Sequence, residues 1–349
     1  MKIVIATTHI PFVQGGAEAH AEGLREALRA AGHEAEIVAI PFKWYPPERI
    51  LDHMLACRLL DLKEAAGVTI DLFIGLKFPT YLIPHPNKVL WIIHQHRSAY
   101  ELWDHPLNDL IAWPNGAKIR HAIRHADEQF IPEAQAIYAN SRNVANRLQN
   151  FCGIDSTPLY HPPPHAEKIY CAPAKDYFFF PSRIESIKRQ SLVLEALALT
   201  KQPVRVRIAG FTGNRAYYDE LLNTSRRLRI ERRVDWLGQV SDDEKLKLYA
   251  HALGVIYPPI DEDYGYVTLE AMLASKPVIT CTDSGGSLEF VIPEETGLVV
   301  APTPASLASA LDELWANRDR AGSLGAAGRS RYEQLHITWP NVVRRLLAS

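Results

Sequence analysis

The chain predicts an α/β protein built from two Rossmann-like domains facing a cleft. Three observations carry that expectation. Its 349 residues exceed one typical core and suit two. Strand-like apolar runs alternate with helical patterns, as parallel α/β layers require. The series pauses at His161-Pro-Pro-Pro164 and then restarts; proline continues neither a helix nor a strand interior, so this stretch is the expected linker.

The first domain, residues 1–165, opens with a strand over 2–7, a loop containing Gly15-Gly16, and a helix from about 17 to 31. Leu24, Ala27, Leu28 and Ala31 form its apolar stripe, and Gly32 stops it. Further strands are expected over 36–40, 72–76 and 89–94. Asn140-Ser141 precedes a helical pattern, which makes Ser141 an N-cap. The second domain, 166–335, begins with a strand over 177–181 and a helix over 190–199. Strands over 204–209, 255–257 and 277–280 continue it, and 336–349 read as a terminal helix.

Composition narrows the function. Hydrophobic content of 47% and charge of 22% are ordinary for a soluble globular protein. A net charge of −2 argues against a general nucleic-acid binder. Cys57, Cys152, Cys171 and Cys281 are scattered, with no Cys-x-x-Cys pair or Cys/His cluster for a metal or disulfide framework. A reducing cytoplasm is the expected compartment. There is no transmembrane run, and the apolar N-terminal stretch is too short for a signal peptide.

The most informative segment is Glu262-Asp-Tyr-Gly-Tyr-Val-Thr-Leu-Glu270. It sets two carboxylates eight positions apart, with a helical run over 267–274 around the second. Glu262 on a loop is an acceptor-only group that suits sugar hydroxyls. Gly265 permits a tight entry into the helix. The first amides of that helix, at Tyr266 and Val267, suit a phosphate. Glu270 is then placed to clasp a second pair of hydroxyls. The plain alternative is an ordinary helix with acidic residues near its start. Arg183 and Lys188 follow the strand ending at Pro181, where a guanidinium fork and a mobile ammonium suit a diphosphate; a solvated pair is the alternative. Gly15 and Gly16 permit close backbone approach to a phosphate or simply make a turn. The stripe of Lys118, Arg120 and Arg124 with His121 and His125 suits anionic lipid headgroups, giving a weak peripheral membrane contact at the inner membrane face. Arg226, Arg227, Arg229, Arg232 and Arg233 read as a solvated helix face, and Tyr100, Trp103 and Trp113 as either an acceptor cleft or a core cover.

Taken in order, these motifs resemble the family 4 glycosyltransferases (glycosyl transferases group 1), retaining enzymes of the GT-B fold, over nearly the whole chain. The resemblance implies that Glu262 contacts the donor sugar and Glu270 the nucleotide ribose. Ser182-Arg-Ile-Glu-Ser-Ile-Lys188 resembles the family's Arg-x4-Lys signature, whose cations neutralise the leaving diphosphate. Gly15-Gly-Ala-Glu18 resembles its N-terminal glycine loop, and Asp283-Ser-Gly-Gly286 with Glu289 its Gly-Gly-x-x-Glu segment. His94 stands where the family carries a histidine near the donor sugar, although Gln95 replaces the usual Asp; a buried structural histidine is the alternative. Gly238 and Val240 fall where backbone groups hold the base. The terminal helix is expected to cross back onto the first domain, with the acceptor on the first domain and the donor on the second.

The implied reaction is retaining transfer of a hexose-type sugar from a UDP- or GDP-linked donor to an acceptor sugar, lipid-linked glycan or small metabolite. No cofactor is expected, and with no Asp-x-Asp motif no metal. Three rivals stay open: a glycoside hydrolase using Glu262 and Glu270, a sugar-phosphate phosphorylase, and a nucleotide-sugar-binding protein without turnover. Retaining hydrolases hold their carboxyls about 5–5.5 Å apart, whereas eight helical residues span about 12 Å.

Overall fold

The apolar N-terminal run forms β1 (Lys2–His9), with Ile3 to Thr8 all buried, as a parallel strand covered on both faces requires. The computed structural model describes residues 1–13 and 15–348. It divides into two units, Met1–Pro164 with Ile337–Ser349, and His165–His336. In the first, α1 (Gly16–Ala30) follows β1 and buries His20, Ala21, Leu24 and Leu28. Gly32 ends it at φ +87°, while Ala31 is an exposed cap instead of part of the stripe. Next come β2 (Glu34–Pro41), α2 (Glu48–Leu59), β3 (Leu72–Lys77), β4 (Lys88–His94), α3 (Gly116–Phe130), β5 (Ala136–Ala139), α4 (Arg142–Cys152) and β6 (Thr157–Pro158). The sheet order is β2-β1-β3-β4-β5-β6, all parallel. Ser141 caps α4 as expected, its Oγ accepting the Val144 N–H at 3.0 Å.

The second unit holds β7 (Phe178–Pro181), α5 (Gln190–Leu199), β8 (Val206–Ala209), α6 (Arg215–Arg227), β9 (Val234–Gly238), α7 (Asp242–His251), β10 (Gly254–Ile256), α8 (Tyr266–Leu273), β11 (Val278–Cys281), β12 (Gly297–Val300), α9 (Pro304–Ala316) and α10 (Arg318–Gln334). Its parallel order, β9-β8-β7-β10-β11-β12, is that of a dinucleotide-binding fold. The chain winds outward from β7 through β8 to β9, then jumps back to β10 beside β7. That reversal opens a crevice beyond the carboxyl ends of β7 and β10. Both central strands are fully apolar, with Phe178, Phe179, Phe180, Val255 and Ile256 at 0% exposure.

One expectation needs correction. Arg233 is not on a solvated helix face. The helix stops at Arg227, and Arg233 turns inward, where its Nε donates to the Val204 carbonyl at 2.8 Å. The proline-rich stretch ends the first unit, but His161 within it is 1% exposed. Its ring lies 4.1 Å from that of His20 and 5.1 Å from Trp91, and burial holds it well below the ordinary histidine range. The expected linker thus falls at the unit boundary, and its first residue packs as an aromatic core residue.

The terminal helix α11 (Trp339–Leu347) returns to the first unit. It buries Val342, Val343 and Leu346 among Ile3, Ile5, Leu24 and Leu28. Trp339 reaches the His161 ring at 5.7 Å and lies directly on α1. Gly23 makes that approach possible, since a Cβ there would sit 2.4 Å from the Trp339 ring. Gly23→Val should therefore cost about 1–3 kcal/mol through overpacking. Gly322→Ala, where an added Cβ meets nothing within 4 Å, should be neutral or stabilising by up to about 1 kcal/mol. Urea unfolding of both variants checks the pair.

Candidate active site

The reversal in strand order brings Lys188 and Glu262 together. Lys188 lies in the turn after β7 and Glu262 in the loop after β10. The Lys188 ammonium donates to Glu262 Oε2 and, at 3.3 Å, to the Tyr257 hydroxyl; that hydroxyl in turn donates to Glu262 Oε2 at 2.8 Å. Lys188 and Glu262 side chains are 14% and 15% exposed. Burial alone would raise the Glu262 carboxyl, but the Lys188 charge and the two hydrogen bonds outweigh it and hold the group below the usual carboxylate range. Glu262 is therefore ionised at neutral pH and oriented by Lys188 and Tyr257.

Backbone bonds knit the surrounding loops. Ile260 N–H donates to Ile187 O at 2.9 Å, Asp261 N–H to Asp283 O at 2.9 Å, and Gly286 N–H to Glu262 O at 2.7 Å. The close approach needs Gly286, where a Cβ would stand 2.5 Å from the Asp263 carbonyl. Arg189, next to Lys188, forks onto Asp283 at 2.7 and 2.5 Å. Those bonds hold the Asp283 carboxyl down. The Asp283–Gly286 segment thus braces the Glu262 loop.

Gly265 precedes α8 at φ +85°, and a Cβ there would meet Ser287 Oγ at 2.8 Å; both facts demand glycine. Tyr266 and Val267 begin the helix one residue earlier than the sequence suggested, and it ends at Leu273. Its first amides face the crevice end of the sheet. Glu270, one turn further, is 3% exposed. It accepts Lys245 Nζ at 2.6 Å and the Tyr249 hydroxyl at 2.5 Å, both from α7. The two glutamates thus have separate cations and separate tyrosines. At the end of β9, Gly238 takes φ +65° and its carbonyl accepts Gly210 N–H at 2.8 Å. Val240 is half-buried in the following turn.

Arg183 does not share this arrangement. Its Nη1 pairs with Glu185 at 3.1 Å and its side chain is 46% exposed. Arg189 is the guanidinium built into the loop network, and sequence spacing did not single it out. Tyr257, Lys245 and Tyr249 were missed as well, because each acts across elements and none sits inside a recognisable spacing.

In the first unit, Gly15 caps α1 in extended geometry, and neither it nor Gly16 has a positive φ. His94 ends β4 half-buried, its Nδ1 2.6 Å from Gln95 O. Gln95 is committed to the core, donating to buried Asp127 at 2.9 Å. Asp127 also takes the Tyr100 hydroxyl at 2.8 Å, so Tyr100 is core and not cleft. Trp113 is exposed and lines a pocket of about 330 Å³ with Trp44, Tyr45, Asp109 and His96. His96 has a buried Nε2 with no hydrogen-bond partner among the described residues, and burial lowers its imidazole to about 4.

Replacing Lys188 with Met leaves Glu262 desolvated without its cation. The cost should be about 2 kcal/mol, below the ~3–5 kcal/mol of a fully buried pair because both groups keep some solvent. The Glu262 pKa is depressed in the fold, so the pair's stabilisation is present above the ordinary 4.5 and lost as pH falls below it. The stability gap between wild type and Lys188→Met should narrow on acidification below that value, as read by denaturation at several pH values.

Residues 167–331 match the family described as glycosyl transferases group 1. In sequence the chain is similar to the human alpha-1,3/1,6-mannosyltransferase ALG2, 31% identical over 166 residues, 44% of this chain and 40% of that protein. The chain thus spans well under two thirds of that relative. In structure it is similar to sucrose-phosphate synthase from Thermosynechococcus elongatus, with a TM-score of 0.78, 19% identity and all of both chains covered. It is also similar to Anabaena HepE in complex with UDP-glucose, with a TM-score of 0.72, 17% identity, and 100% and 99% of the two chains covered. Two parallel-sheet halves, a returning terminal helix and these neighbours establish the GT-B fold. The stretch that matches the group 1 glycosyltransferases lies wholly within the second unit, His165–His336.

Proposed function

We propose that the protein transfers a hexose-type sugar from a UDP- or GDP-linked donor to an acceptor hydroxyl, with retention and without a metal. The observation that carries this reading is the ionised, oriented Glu262 beside Lys188, one helical entry away from Glu270. Glu262 accepts hydroxyls of the donor sugar. Lys188 has three donors and, held by Glu262, can turn one toward a departing diphosphate. The amides opening α8 add positive potential there. Glu270, with Lys245 and Tyr249 on its oxygens, takes the ribose hydroxyls, and backbone groups at Gly238 and Val240 hold the base. Arg183, free to swing from Glu185, joins Lys188 on the diphosphate. For the first unit we propose the hydroxyl and phosphate contacts that the resemblance implies for His94, Gly15 and Gly16.

Charge builds on the leaving diphosphate as the glycosidic bond breaks, so fixed cations aimed at it lower the barrier. Retention follows if the acceptor attacks the face the diphosphate leaves, its proton passing to a phosphate oxygen. The human relative named as a mannosyltransferase and the neighbour solved with UDP-glucose support a nucleotide-sugar donor. One hydrolase role is disfavoured by a specific observation: a general acid needs a raised pKa, and Glu262 is held low by Lys188.

Turnover with UDP- and GDP-sugars, with and without EDTA, tests the reading, with the product anomer read by NMR. Retention and indifference to EDTA are expected. Glu262→Ala should lower kcat by about a hundredfold or more while nucleotide binding survives. Arg183→Ala should weaken nucleoside diphosphate binding about tenfold. Wild-type behaviour in both variants would overturn the assignment, and a requirement for inorganic phosphate would favour a phosphorylase.

A further inference from the structure

Helix α3 presents two arginines, Arg120 and Arg124, one turn apart on one face. Each is anchored at one edge. Arg120 Nε donates to the Ala99 carbonyl at 3.0 Å with its guanidinium carbon 4.3 Å from the Trp103 ring centroid. Arg124 Nη2 donates to the Phe151 carbonyl at 3.0 Å with its guanidinium carbon 5.8 Å from the Tyr100 ring centroid. Both arginines line a groove of about 390 Å³, together with Trp103, Ala117, His121, His125 and Glu128. The two imidazoles are stacked at 6.3 Å. Lys118 is exposed on the same helix.

Several other arginines of this unit have close carboxylate partners. Arg25 meets Glu22 at 2.5 Å, Arg49 meets Asp52 at 2.7 Å, Arg58 meets Glu133 at 2.8 Å and Arg97 meets Glu101 at 2.5 Å. Among the described residues, Arg120 has no carboxylate within 4 Å, and Arg124 has only Glu128 at 4.0 Å, beyond hydrogen-bond reach. Burial first, then the neighbouring Arg124 charge, pull the Arg120 guanidinium below its ordinary value, with Asp104 acting weakly the other way. Two fixed, partly desolvated like charges on a groove are relieved by an anion with several acceptor oxygens.

We infer that this groove is a binding site for a phosphate ester, held by Arg120 and Arg124 with His121 and His125 as flanking donors. The geometry needs a phosphate oxygen for each guanidinium and room for an organic substituent along Trp103. A soluble phosphomonoester and a phospholipid headgroup share that chemistry. The site lies apart from the Lys188–Glu262 centre in sequence and unit, and does not depend on the transferase reading.

The test uses the full chain and two probes. Glycerol 3-phosphate is titrated calorimetrically, and mixed phosphatidylcholine–phosphatidylglycerol vesicles are compared with pure phosphatidylcholine by co-sedimentation. Wild type should bind at least one, and Arg120→Gln/Arg124→Gln should bind it at least about tenfold more weakly. Because both arginines also anchor backbone, Glu128→Gln gives a second reading: it removes the competing carboxylate and should tighten binding about threefold. Glycerol phosphate binding assigns a soluble ligand, and binding to anionic vesicles alone assigns a membrane headgroup. Binding of neither probe, or affinities unchanged in both variants, would falsify the site.

Discussion

The second unit is organised around one constraint: a carboxylate taken largely out of water must keep its cation. Glu262 sits at the crevice end of the sheet, and Lys188 with Tyr257 keeps it ionised there. Desolvating an acid without such partners would instead protonate it. Meeting this requirement fixes the strand order, because Lys188 and Glu262 must come from β7 and β10, the strands flanking the reversal. It also fixes Gly286, which lets the Asp283 loop lie against the Glu262 backbone. Gly265 then turns the chain into α8 in a conformation and a space that only glycine accepts.

Glu270 repeats the solution with different parts. Lys245 and Tyr249 lie four residues apart on α7, so they share a face of that helix and reach one carboxylate together. Two carboxylates on one short segment each have their own ammonium and phenol. Division of labour between two sets of hydroxyls is the use such an arrangement suits.

Much of this was legible in the sequence because it depends on local spacing. The β7 and α5 segments, the glycine entering α8 and the Glu262–Glu270 spacing are all short-range signals. The short strand β5, Ala136–Ala139, and the charged β9, Val234–Gly238, lack the length or the alternation that would expose them. Residues acting across elements were hidden for the same reason. Lys245 reads as one more solvated lysine until α7 is laid beside Glu270. Arg189 reads as a neighbour of Lys188 until Asp283 is brought to it from 94 residues away. The prolines mark the unit boundary but say nothing of His161 itself, which tertiary packing buries against His20, Trp91 and Trp339.

The claim that the second unit's crevice holds a nucleoside diphosphate sugar is tested most directly by hydrogen–deuterium exchange of the full chain with saturating UDP, GDP, ADP and dTDP. The account predicts that one of these slows exchange in residues 182–189, 238–241 and 262–270 together, since those loops share backbone bonds or a strand end. Protection confined to the first unit, or none with any nucleotide, would contradict it.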